Sequence, residues 1–249
     1  MSKSFNHDET IYTDSSAEEI VPILIKIFQP SSVIDIGCGI GNFLHVFIKK
    51  NITDVKGLDG NWVSLEVLNK SIPIECFIMI DLENEFSTFV DRNPRQYDLL
   101  ICLEVAEHLS QEKASEFIDN ICRLSSNVIF SAAIPYQGGE NHINEQWPTY
   151  WKKLFNNNGY SCHDIIRPMI WDNSRIHWWY KQNILFFKKN IDFDSDEKQD
   201  QCFSLDLIHP ENYLSKAKWI DEFRGGDISW GFAFFLFKNF ILKKIKWKK

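Results

Sequence analysis

The sequence has few of the features that mark secreted, membrane-spanning or disulfide-stabilised proteins. Its six cysteines are widely spaced and form no CxxC pair, and several lie in apolar stretches such as residues 99–103. We therefore expect reduced, buried thiols rather than a zinc site or a disulfide framework. Residues 1–16 lack a basic segment followed by an apolar one, and no apolar run approaches the roughly 20 residues that span a bilayer. These absences predict a cytoplasmic protein.

Basic charge is scarce everywhere except in the last segment of the chain. The net charge is −7 over 249 residues, yet residues 238–249 hold six lysines and no acid, so the preceding 237 residues carry −13. Nucleic acids attract basic surfaces, and an acidic body therefore argues against a nucleic-acid partner. With 44% hydrophobic residues, the chain can bury a substantial core.

Strand-like and helix-like segments alternate along the first two-thirds of the chain. The predicted strands are 32–36, 55–59, 75–80, 97–103, 127–133, 160–166 and 184–188. The predicted helices are 20–28, which follows a Ser16-x-x-Glu19 capping box and stops before Pro30, and then 43–50, 62–69, 111–124 and 149–157. Short apolar strands that alternate with helices predict an α/β fold with a Rossmann-like, doubly wound, mostly parallel sheet of seven strands.

The pattern divides the chain into three parts. Residues 1–190 form the predicted α/β domain with its N-terminal helix. Residues 191–204 are rich in aspartate and glutamate and predict a solvated linker. Residues 205–249 are aromatic and then basic, and we expect them to form a C-terminal extension of the main domain.

A glycine-rich loop follows the first predicted strand. Residues 33–42 read Val-Ile-Asp-Ile-Gly-Cys-Gly-Ile-Gly-Asn, so glycines lie between a buried strand and a helix. Such glycines let the backbone approach a ligand closely, and the helix offers unpaired N–H groups. A dinucleotide-binding G-x-G-x-x-G fingerprint would require glycine at position 42, where the chain has asparagine.

The loop resembles motif I, D-x-G-x-G-x-G, of the class I S-adenosylmethionine-dependent methyltransferases. The matching positions are Asp35, Gly37, Gly39 and Gly41. The resemblance covers roughly residues 10–190 and implies that S-adenosylmethionine is the cofactor. It further implies that Asp59 binds the ribose hydroxyls, that Asp81 and the backbone of Leu82 contact the adenine, and that Leu103 belongs to the cofactor site. Taken singly, Asp59 and Asp81 are also typical of turn and cap residues.

The fourth strand ends in Leu103-Glu-Val-Ala-Glu-His-Leu109. If a helical turn begins there, Glu104, Glu107 and His108 face the same way and could ligate a divalent ion such as Mg, Mn or Zn. This E-x-x-E-H arrangement resembles that of small-RNA 2′-O-methyltransferases and quinone O-methyltransferases. In the former a further histidine completes the metal site, and His142 occupies a comparable region. The same pattern also occurs in metal-free relatives as a cap and a pocket wall.

The loop after the fifth strand carries the candidate catalytic residues. Gly138 and Gly139 make it flexible, and it brings His142 and Glu145 to the carboxyl edge of the sheet, where open α/β folds bind ligands. A hydroxyl acceptor must lose its proton, and histidine titrates near neutral pH. We therefore expect His142 to be the base, with Glu145 as the alternative base or as a clamp on a substrate hydroxyl. A purely structural His142 remains the competing interpretation.

Aromatic residues are concentrated near this loop and beyond it. Eight of the nine tryptophans lie after residue 146, among them Trp147, Trp151, Trp171, Trp178 and Trp179, with Tyr150 and Tyr180 beside them. Aromatic faces beside amides and carboxylates suit a sugar ring, although such residues also fill cores. Residues 142–151 resemble sugar and glycan methyltransferases of surface-polysaccharide clusters.

The last twenty residues combine an aromatic run with a basic tail. Trp230-Gly-Phe-Ala-Phe-Phe-Leu-Phe237 is followed by five lysines among residues 243–249. Such a segment could lie in the interface of an anionic membrane, or it could dock on the main domain with a frayed basic end.

The sequence thus predicts a methyltransferase that methylates an oxygen, with a sugar or glycan hydroxyl as the first choice. A quinone or phenol, an RNA ribose, or a non-catalytic cofactor-binding subunit are the alternatives. We expect a small-molecule or glycan acceptor as the partner and a cytoplasmic location, and the sequence leaves open whether residues 230–249 make peripheral membrane contact or dock on the main domain. The pattern makes no prediction of oligomeric state.

Overall fold

The structure, a computed structural model, describes residues 15–190, residues 204–225, and residues 230, 231, 233–235, 237, 238 and 240. The chain divides into two compact units, residues 1–207 and residues 208–249. The first unit contains the whole sheet and all the candidate site residues.

Seven strands form one sheet in the first unit. They are β1 (Ser32–Ile36), β2 (Asp54–Asp59), β3 (Phe77–Met79), β4 (Leu99–Leu103), β5 (Asn127–Ser131), β6 (Tyr160–His163) and β7 (Leu185–Lys189). Their order across the sheet is β3-β2-β1-β4-β5-β7-β6. Strands β1 to β5 pair in parallel, and β7 runs antiparallel to both β5 and β6. The predicted α/β, mostly parallel, seven-stranded sheet is confirmed.

Helices lie on both faces of the sheet. In the first unit they are α1 (Ser15–Phe28), α2 (Asn42–Lys49), α3 (Leu65–Ser71), α4 (Phe86–Arg92), α5 (Ala114–Leu124), α6 (Pro148–Asn157), α7 (Arg167–Ile170) and α8 (Trp178–Asn183). The second unit contains α9 (Pro210–Gly225). Helices α4, α7, α8 and α9 were not predicted. The first three have only four to seven residues and are too short to display a clear helical period. Helix α9 has 16 residues, but its apolar residues do not gather on one face.

Alternate side chains of the central strands enter two separate cores. Ile34 and Leu100 pack with residues of α4, α5 and α6 on one face of the sheet. Val33 and Leu99 pack with residues of α1, α2 and α3 on the other. Successive side chains of a strand point to opposite faces of the sheet. Because both faces are covered, every residue of β1 and of β4 is buried.

The predicted capping box at Ser16 and Glu19 is wrong. Helix α1 begins at Ser15, so Ser16 lies inside the helix, where its hydroxyl oxygen accepts a hydrogen bond from the His177 N–H at 3.1 Å. The Glu19 carboxylate accepts one from Asn173 Nδ2 at 2.9 Å. Both side chains thus hold the segment before α8 against α1 instead of capping their own helix.

The first unit extends slightly beyond the domain boundary that the sequence predicts. Leu205 is buried in its core, and the Leu205 carbonyl accepts a hydrogen bond from the buried guanidinium of Arg167 at 2.9 Å. The Asp206 carboxylate accepts two from Thr149, at 3.1 Å from its N–H and at 3.0 Å from its hydroxyl. Residues 191–203, nearly all of the predicted acidic linker, lie outside the described residues.

Most of the cysteines in the described ranges are buried. Cys38, Cys102, Cys122 and Cys162 are buried and Cys76 is partly exposed, whereas Cys202 lies outside the described residues. None of the helices in the described part of the chain is both long enough and apolar enough to cross a bilayer.

Candidate active site

The glycine loop joins β1 to α2 at the point where the strand order of the sheet reverses. Such a reversal places the carboxyl ends of β1 and β4 beside each other, and open α/β sheets bind ligands there. Gly37 has a φ of 78° and Gly41 a φ of 83°, both in the left-handed region. A Cβ on Gly37 would lie 2.2 Å from the Val105 side chain, so a side chain at this position would collide with the segment after β4. Backbone conformation and space both require glycine there.

Asp59 ends β2 and is tied directly to this loop. One oxygen of its carboxylate accepts a hydrogen bond from the Gly39 N–H and the other from the Gly60 N–H, each at 2.6 Å. The side chain is 5% exposed, and these charge-assisted bonds fix its position. The acid predicted to bind ribose therefore lies against the backbone of the glycine loop.

Asp35, the first residue of motif I, lies within β1 and is buried. Burial raises the pKa of its carboxyl well above the ordinary value, and the nearby charge of Asp59 raises that pKa further. Two acids thus lie close together under the loop. A role of Asp35 in cofactor binding stays a prediction.

Asp81 follows β3 and organises the turn into α4. One oxygen of its carboxylate accepts hydrogen bonds from the N–H groups of Glu83 at 2.9 Å and Asn84 at 3.3 Å, and the other accepts one from Asn84 Nδ2 at 2.8 Å. The side chain is exposed, whereas Leu82 and Leu103 are buried. Asp81 therefore has the cap role that the sequence left open, and contacts of Asp81, Leu82 and Leu103 with the cofactor stay predictions.

The predicted helical turn over residues 104–108 does not form. Glu104 has a φ of 56°, in the left-handed region, and only Ala106–His108 make a short 3₁₀ turn. Because the helical path is broken at Glu104, its side chain does not join Glu107 and His108 on one face. The structure instead surrounds the Glu104 carboxylate with side-chain amides.

These amides come from two elements far apart in the sequence. Asn183 Nδ2, at the end of α8, donates to both Glu104 oxygens at 3.1 and 3.3 Å. Gln137 Nε2 donates to one of them at 3.0 Å, and Gln182 Nε2 donates to Gln137 Oε1 at 3.1 Å. Burial raises the pKa of Glu104 to about 7, and the hydrogen bonds from Asn183, Ser131 and Gln137 offset part of that rise.

Sequence reasoning missed Gln137, Gln182 and Asn183. One signal for them is present in the chain. Gln182 and Asn183 are two polar residues that stand just before the apolar residues 184–187, which the sequence predicts to be a buried strand. Buried amides require partners, so such a pair indicates a polar network at the sheet edge.

Glu107 lies in the 3₁₀ turn after β4 and is completely buried. Neither of its carboxylate oxygens has a hydrogen-bond partner among the described residues. Burial raises its pKa well above the ordinary value, and the charge of Glu104 raises it further. The backbone N–H groups of Glu107 and Ala133 offset only part of this rise, because neither forms a hydrogen bond of normal geometry with the carboxylate. A buried carboxylate in this condition needs a proton or a cation.

Two histidines lie beside this carboxylate. The candidate ligand atoms of Glu107, His108 and His142 all lie within 4.8 Å of one another. The two imidazole rings meet edge to face, with centroids 4.9 Å apart. The structure therefore brings together three of the four predicted metal ligands, and it places Glu104 in the amide network instead.

The backbone holds the His142 loop against the turn after β4. The Glu107 carbonyl accepts hydrogen bonds from the N–H groups of Ile143 at 2.9 Å and Asn144 at 3.0 Å. A Cβ on Gly139 would lie 2.3 Å from His142 Nε2, so only glycine fits beside the ring. These contacts fix the ring close to Glu107.

His142 and Glu145 form a hydrogen-bonded pair. His142 Nδ1 lies 3.0 Å from Glu145 Oε1, and both side chains are mostly buried. Glu145 also accepts hydrogen bonds from the N–H groups of Tyr136 at 2.7 Å and Gly138 at 2.9 Å. Because an ionised carboxylate only accepts, we assign the proton of the neutral ring to Nδ1, which leaves Nε2 with a lone pair. That arrangement suits either a metal ligand or a proton acceptor.

The predicted aromatic residues divide between core and surface. Trp151 is buried and packs on Phe130. Trp147 is partly exposed at the start of α6, and Tyr136, on the loop that carries His142, is almost fully exposed. Trp179 stacks on His177 with ring centroids 4.2 Å apart.

Comparisons with known proteins identify the family and the fold of the chain. A family model described as "Methyltransferase domain" matches residues 13–183. The comparison with curated proteins gives no significant match. The chain spans 98% of the methyltransferase domain of bacterial CtHen1-C, with 71% of its own length, 20% identity and a TM-score of 0.53.

Two further solved structures share the fold. One is a SAM-dependent methyltransferase from Archaeoglobus fulgidus, with 16% identity, 73% of this chain and 96% of that chain covered, and a TM-score of 0.53. The other is magnesium protoporphyrin IX methyltransferase from Synechocystis PCC 6803 with bound SAM, with 20% identity, 76% and 87% covered, and a TM-score of 0.50. The chain shares its fold with these S-adenosylmethionine-dependent enzymes. Because the family match covers more than half of the chain, the chain belongs to the methyltransferase-domain family.

Proposed function

We propose that the chain transfers a methyl group from S-adenosylmethionine to a hydroxyl oxygen of a sugar or glycan. The observation that carries methyl transfer to a hydroxyl is the buried carboxylate of Glu107, without a hydrogen bond among the described residues, beside the imidazoles of His108 and His142. A hydroxyl acceptor must lose its proton during methyl transfer, and this cluster offers groups that promote that loss.

The residues around the glycine loop fit the cofactor. The Asp59 carboxylate is held at the end of β2 by two backbone N–H groups, and an ionised carboxylate only accepts hydrogen bonds. Ribose hydroxyls are suitable donors to such a group. Residues 37–41 would pass close to the cofactor, and Asp81 and Leu82 would lie toward its adenine. When bound, S-adenosylmethionine supplies an electrophilic sulfonium methyl group.

The cluster of Glu107, His108 and His142 fits a divalent cation. A carboxylate with two imidazoles suits Mn or Zn better than Mg, which prefers oxygen ligands. A bound cation lowers the pKa of an acceptor hydroxyl as a Lewis acid. Glu145 would act as the outer carboxylate that orients the ligating imidazole, as in many metal sites.

His142 Nε2 can ligate a cation or take a proton, but not both in one state. If the reaction proceeds without a cation, His142 is the base, and Glu145 stabilises the imidazolium that forms. The carboxylate of Glu107, which has no hydrogen-bond partner in the described part of the chain, favours the cation, because a base mechanism gives that carboxylate no role.

The surroundings of the loop support a sugar acceptor. Tyr136 and Trp147 expose aromatic surface on either side of His142 in the chain, and Glu140 and Asn141 are exposed between them. Aromatic faces stack on sugar C–H groups while polar side chains bind hydroxyls. The charge of −13 on residues 1–237 disfavours an RNA acceptor.

The test is methyl transfer from radiolabelled S-adenosylmethionine to a panel of nucleotide sugars, glycolipids, quinols and RNA oligonucleotides. We expect label in a sugar-containing acceptor, loss of labelling with excess chelator, and recovery with Mn or Zn. His142→Ala should abolish labelling, and His163→Ala, in β6, serves as the matched histidine control. Labelling of quinols or RNA alone would contradict the sugar assignment, and full labelling in excess chelator would contradict the cation.

A further inference from the structure

The second unit of the chain exposes an unusual amount of aromatic surface. Trp230, Phe234, Phe235, Phe237 and Phe240 are helical residues, and each is more than half exposed. Trp230 is 92% exposed, whereas Trp151 in the first unit is 2% exposed. Scattered apolar residues are normal on a protein surface, but five exposed aromatic side chains within eleven residues are a concentration typical of interaction sites.

The exposed aromatic surface is not confined to this segment. Trp219 and Phe223 of α9 are also about half exposed, and their rings stack with centroids 5.8 Å apart. Tyr213 and Leu214, near the start of α9, are more than half exposed. Apolar exposure is therefore a property of the described part of the second unit as a whole.

Positive charge follows the aromatic residues directly. Lys238 lies between Phe237 and Phe240, and residues 243–249 contain five lysines. Residues 228–249 contain no aspartate or glutamate, although the chain as a whole is acidic. A segment with these two properties complements a surface that offers both apolar groups and negative charge.

We propose that residues 230–249 bind the surface of an anionic lipid bilayer. Trp230 and the exposed phenylalanines enter the boundary between headgroups and acyl chains, and the lysines contact anionic headgroups. Tryptophan and phenylalanine are favoured at that boundary, and lysines near an anionic leaflet strengthen attachment. The proposal is independent of the methyl acceptor.

Two other partners fit the residues less well. A second copy of the chain would cover the aromatic patch, but lysine is depleted in protein–protein interfaces, and this patch is followed by five lysines. Single-stranded nucleic acid stacks on aromatics, but nucleic-acid grooves combine cations and aromatics along one track. Here most of the aromatic residues precede most of the lysines along the chain, which favours a bilayer interface.

The test is cosedimentation of the full chain with vesicles of phosphatidylcholine, with and without roughly one-third phosphatidylglycerol. The basic variant changes to glutamine the lysines at 243, 244, 246, 248 and 249. Its matched control changes five exposed lysines of the first unit to glutamine, those at 49, 50, 70, 188 and 189. Binding of S-adenosylhomocysteine and the melting temperature verify that each variant is folded.

We expect the wild-type chain and the control to bind phosphatidylglycerol vesicles equally. A lysine near an anionic surface contributes about a fivefold factor, so the basic variant should lose at least about 100-fold in partitioning. Trp230→Ser combined with Phe234→Ser should lose at least about tenfold, and Leu65→Ser combined with Ile74→Ser, at exposed apolar positions of the first unit, should lose nothing.

A second measurement reports the depth of the aromatic residues. Lipids brominated on the acyl chains should quench part of the tryptophan emission of the wild-type chain, and Trp230→Phe combined with Trp247→Phe should remove that part. The proposal is overturned if the wild-type chain binds neither vesicle, or if the basic variant and its control partition equally. It is also overturned if single-stranded RNA binds more tightly than the vesicles, or if sedimentation shows a dimer that Trp230→Ser dissociates without any binding to lipid.

Discussion

Asp59 and Glu107 are two buried acids at the same edge of one sheet, and their surroundings are opposite. Each oxygen of Asp59 accepts a backbone N–H at 2.6 Å, so the fold itself satisfies this carboxylate. Neither oxygen of Glu107 has a hydrogen-bond partner among the described residues, and its pKa is raised well above the ordinary value. The part of the site that we propose for the cofactor, hereafter the cofactor half, is therefore satisfied by the protein alone, whereas the part that we propose for the acceptor, hereafter the acceptor half, requires a proton or a cation.

This difference separates a part of the site that is fixed by backbone hydrogen bonds from a part that is not. The N–H groups of Gly39 and Gly60 hold the Asp59 carboxylate in one position before any ligand binds. Such preorganisation lowers the free-energy cost of binding. The segment after β4 instead holds the Glu107 carboxyl, whose ionised form is disfavoured unless a cation lies beside it. A buried group of that kind is costly to the fold and is typical of a functional site.

The largest expected effect comes from removing the imidazole that faces Glu107. His142→Ala should lower kcat about 10²–10⁴-fold, because it removes either a cation ligand or the base, while the affinity for S-adenosylhomocysteine should change by less than about twofold. Initial rates with the acceptor found in the labelling panel measure the effect. His142→Gln should not restore the rate, since its amide neither takes the proton nor replaces the imidazole ligand. Near-normal rates in both variants would remove His142 from the reaction.

The next largest effect should come from the cofactor half. Asp59→Ala removes the acceptor that we assign to the ribose hydroxyls and should weaken S-adenosylhomocysteine binding by about 1.5–3 kcal/mol, or roughly 10- to 150-fold. Titration calorimetry measures this change, and Asp81→Ala tests the adenine prediction in the same way. Unchanged affinity in Asp59→Ala, together with tight binding of NADH by the wild-type chain, would contradict the cofactor assignment.

A smaller effect should appear in the pH dependence of stability. The pKa of Glu104 is raised from 4.5 to about 7 in the folded state, so the folded chain keeps a proton that the unfolded chain has already lost. The contribution of Glu104 to stability is therefore fully present below about pH 4.5 and is lost as the pH rises through about 7. We expect a loss on the order of 3 kcal/mol across this interval.

The variant Glu104→Gln separates this contribution from those of the other carboxyls whose pKa is raised. Asp35 and Glu107 change stability in the same direction, so the wild-type chain alone does not separate the three. Denaturant unfolding of both proteins between pH 4.5 and 8 should give a flatter curve for Glu104→Gln. Parallel curves would show that Glu104 titrates at its ordinary value.

The cofactor half was predictable from the sequence because its geometry is local. A buried strand followed by glycines at positions 37, 39 and 41 specifies a strand–turn–helix, and Asp59 follows from the end of the next strand. The parallel sheet was predictable for a similar reason, since its apolar strands alternate with amphipathic helices. These features depend on short stretches of chain.

The acceptor half was only partly predictable because distant residues determine it. The spacing of Glu104, Glu107 and His108 suits a helical turn, yet Asn183, 79 positions away, holds Glu104 in an amide network. The left-handed backbone at Glu104 has no signature in its residue type, since glutamate rarely adopts it. Likewise, residue type alone does not separate the buried Trp151 from the partly exposed Trp147.

The central claim is that the Glu107 carboxylate, with His108 and His142, holds a divalent cation. The most direct test is calorimetric titration of the metal-free chain with Mn, comparing wild type with Glu107→Gln and with Asp59→Asn as the matched control at the satisfied acid. The account predicts that Mn binds the wild-type and Asp59→Asn chains with similar affinity and does not bind Glu107→Gln. Equal binding to Glu107→Gln, or none to the wild-type chain, would contradict it.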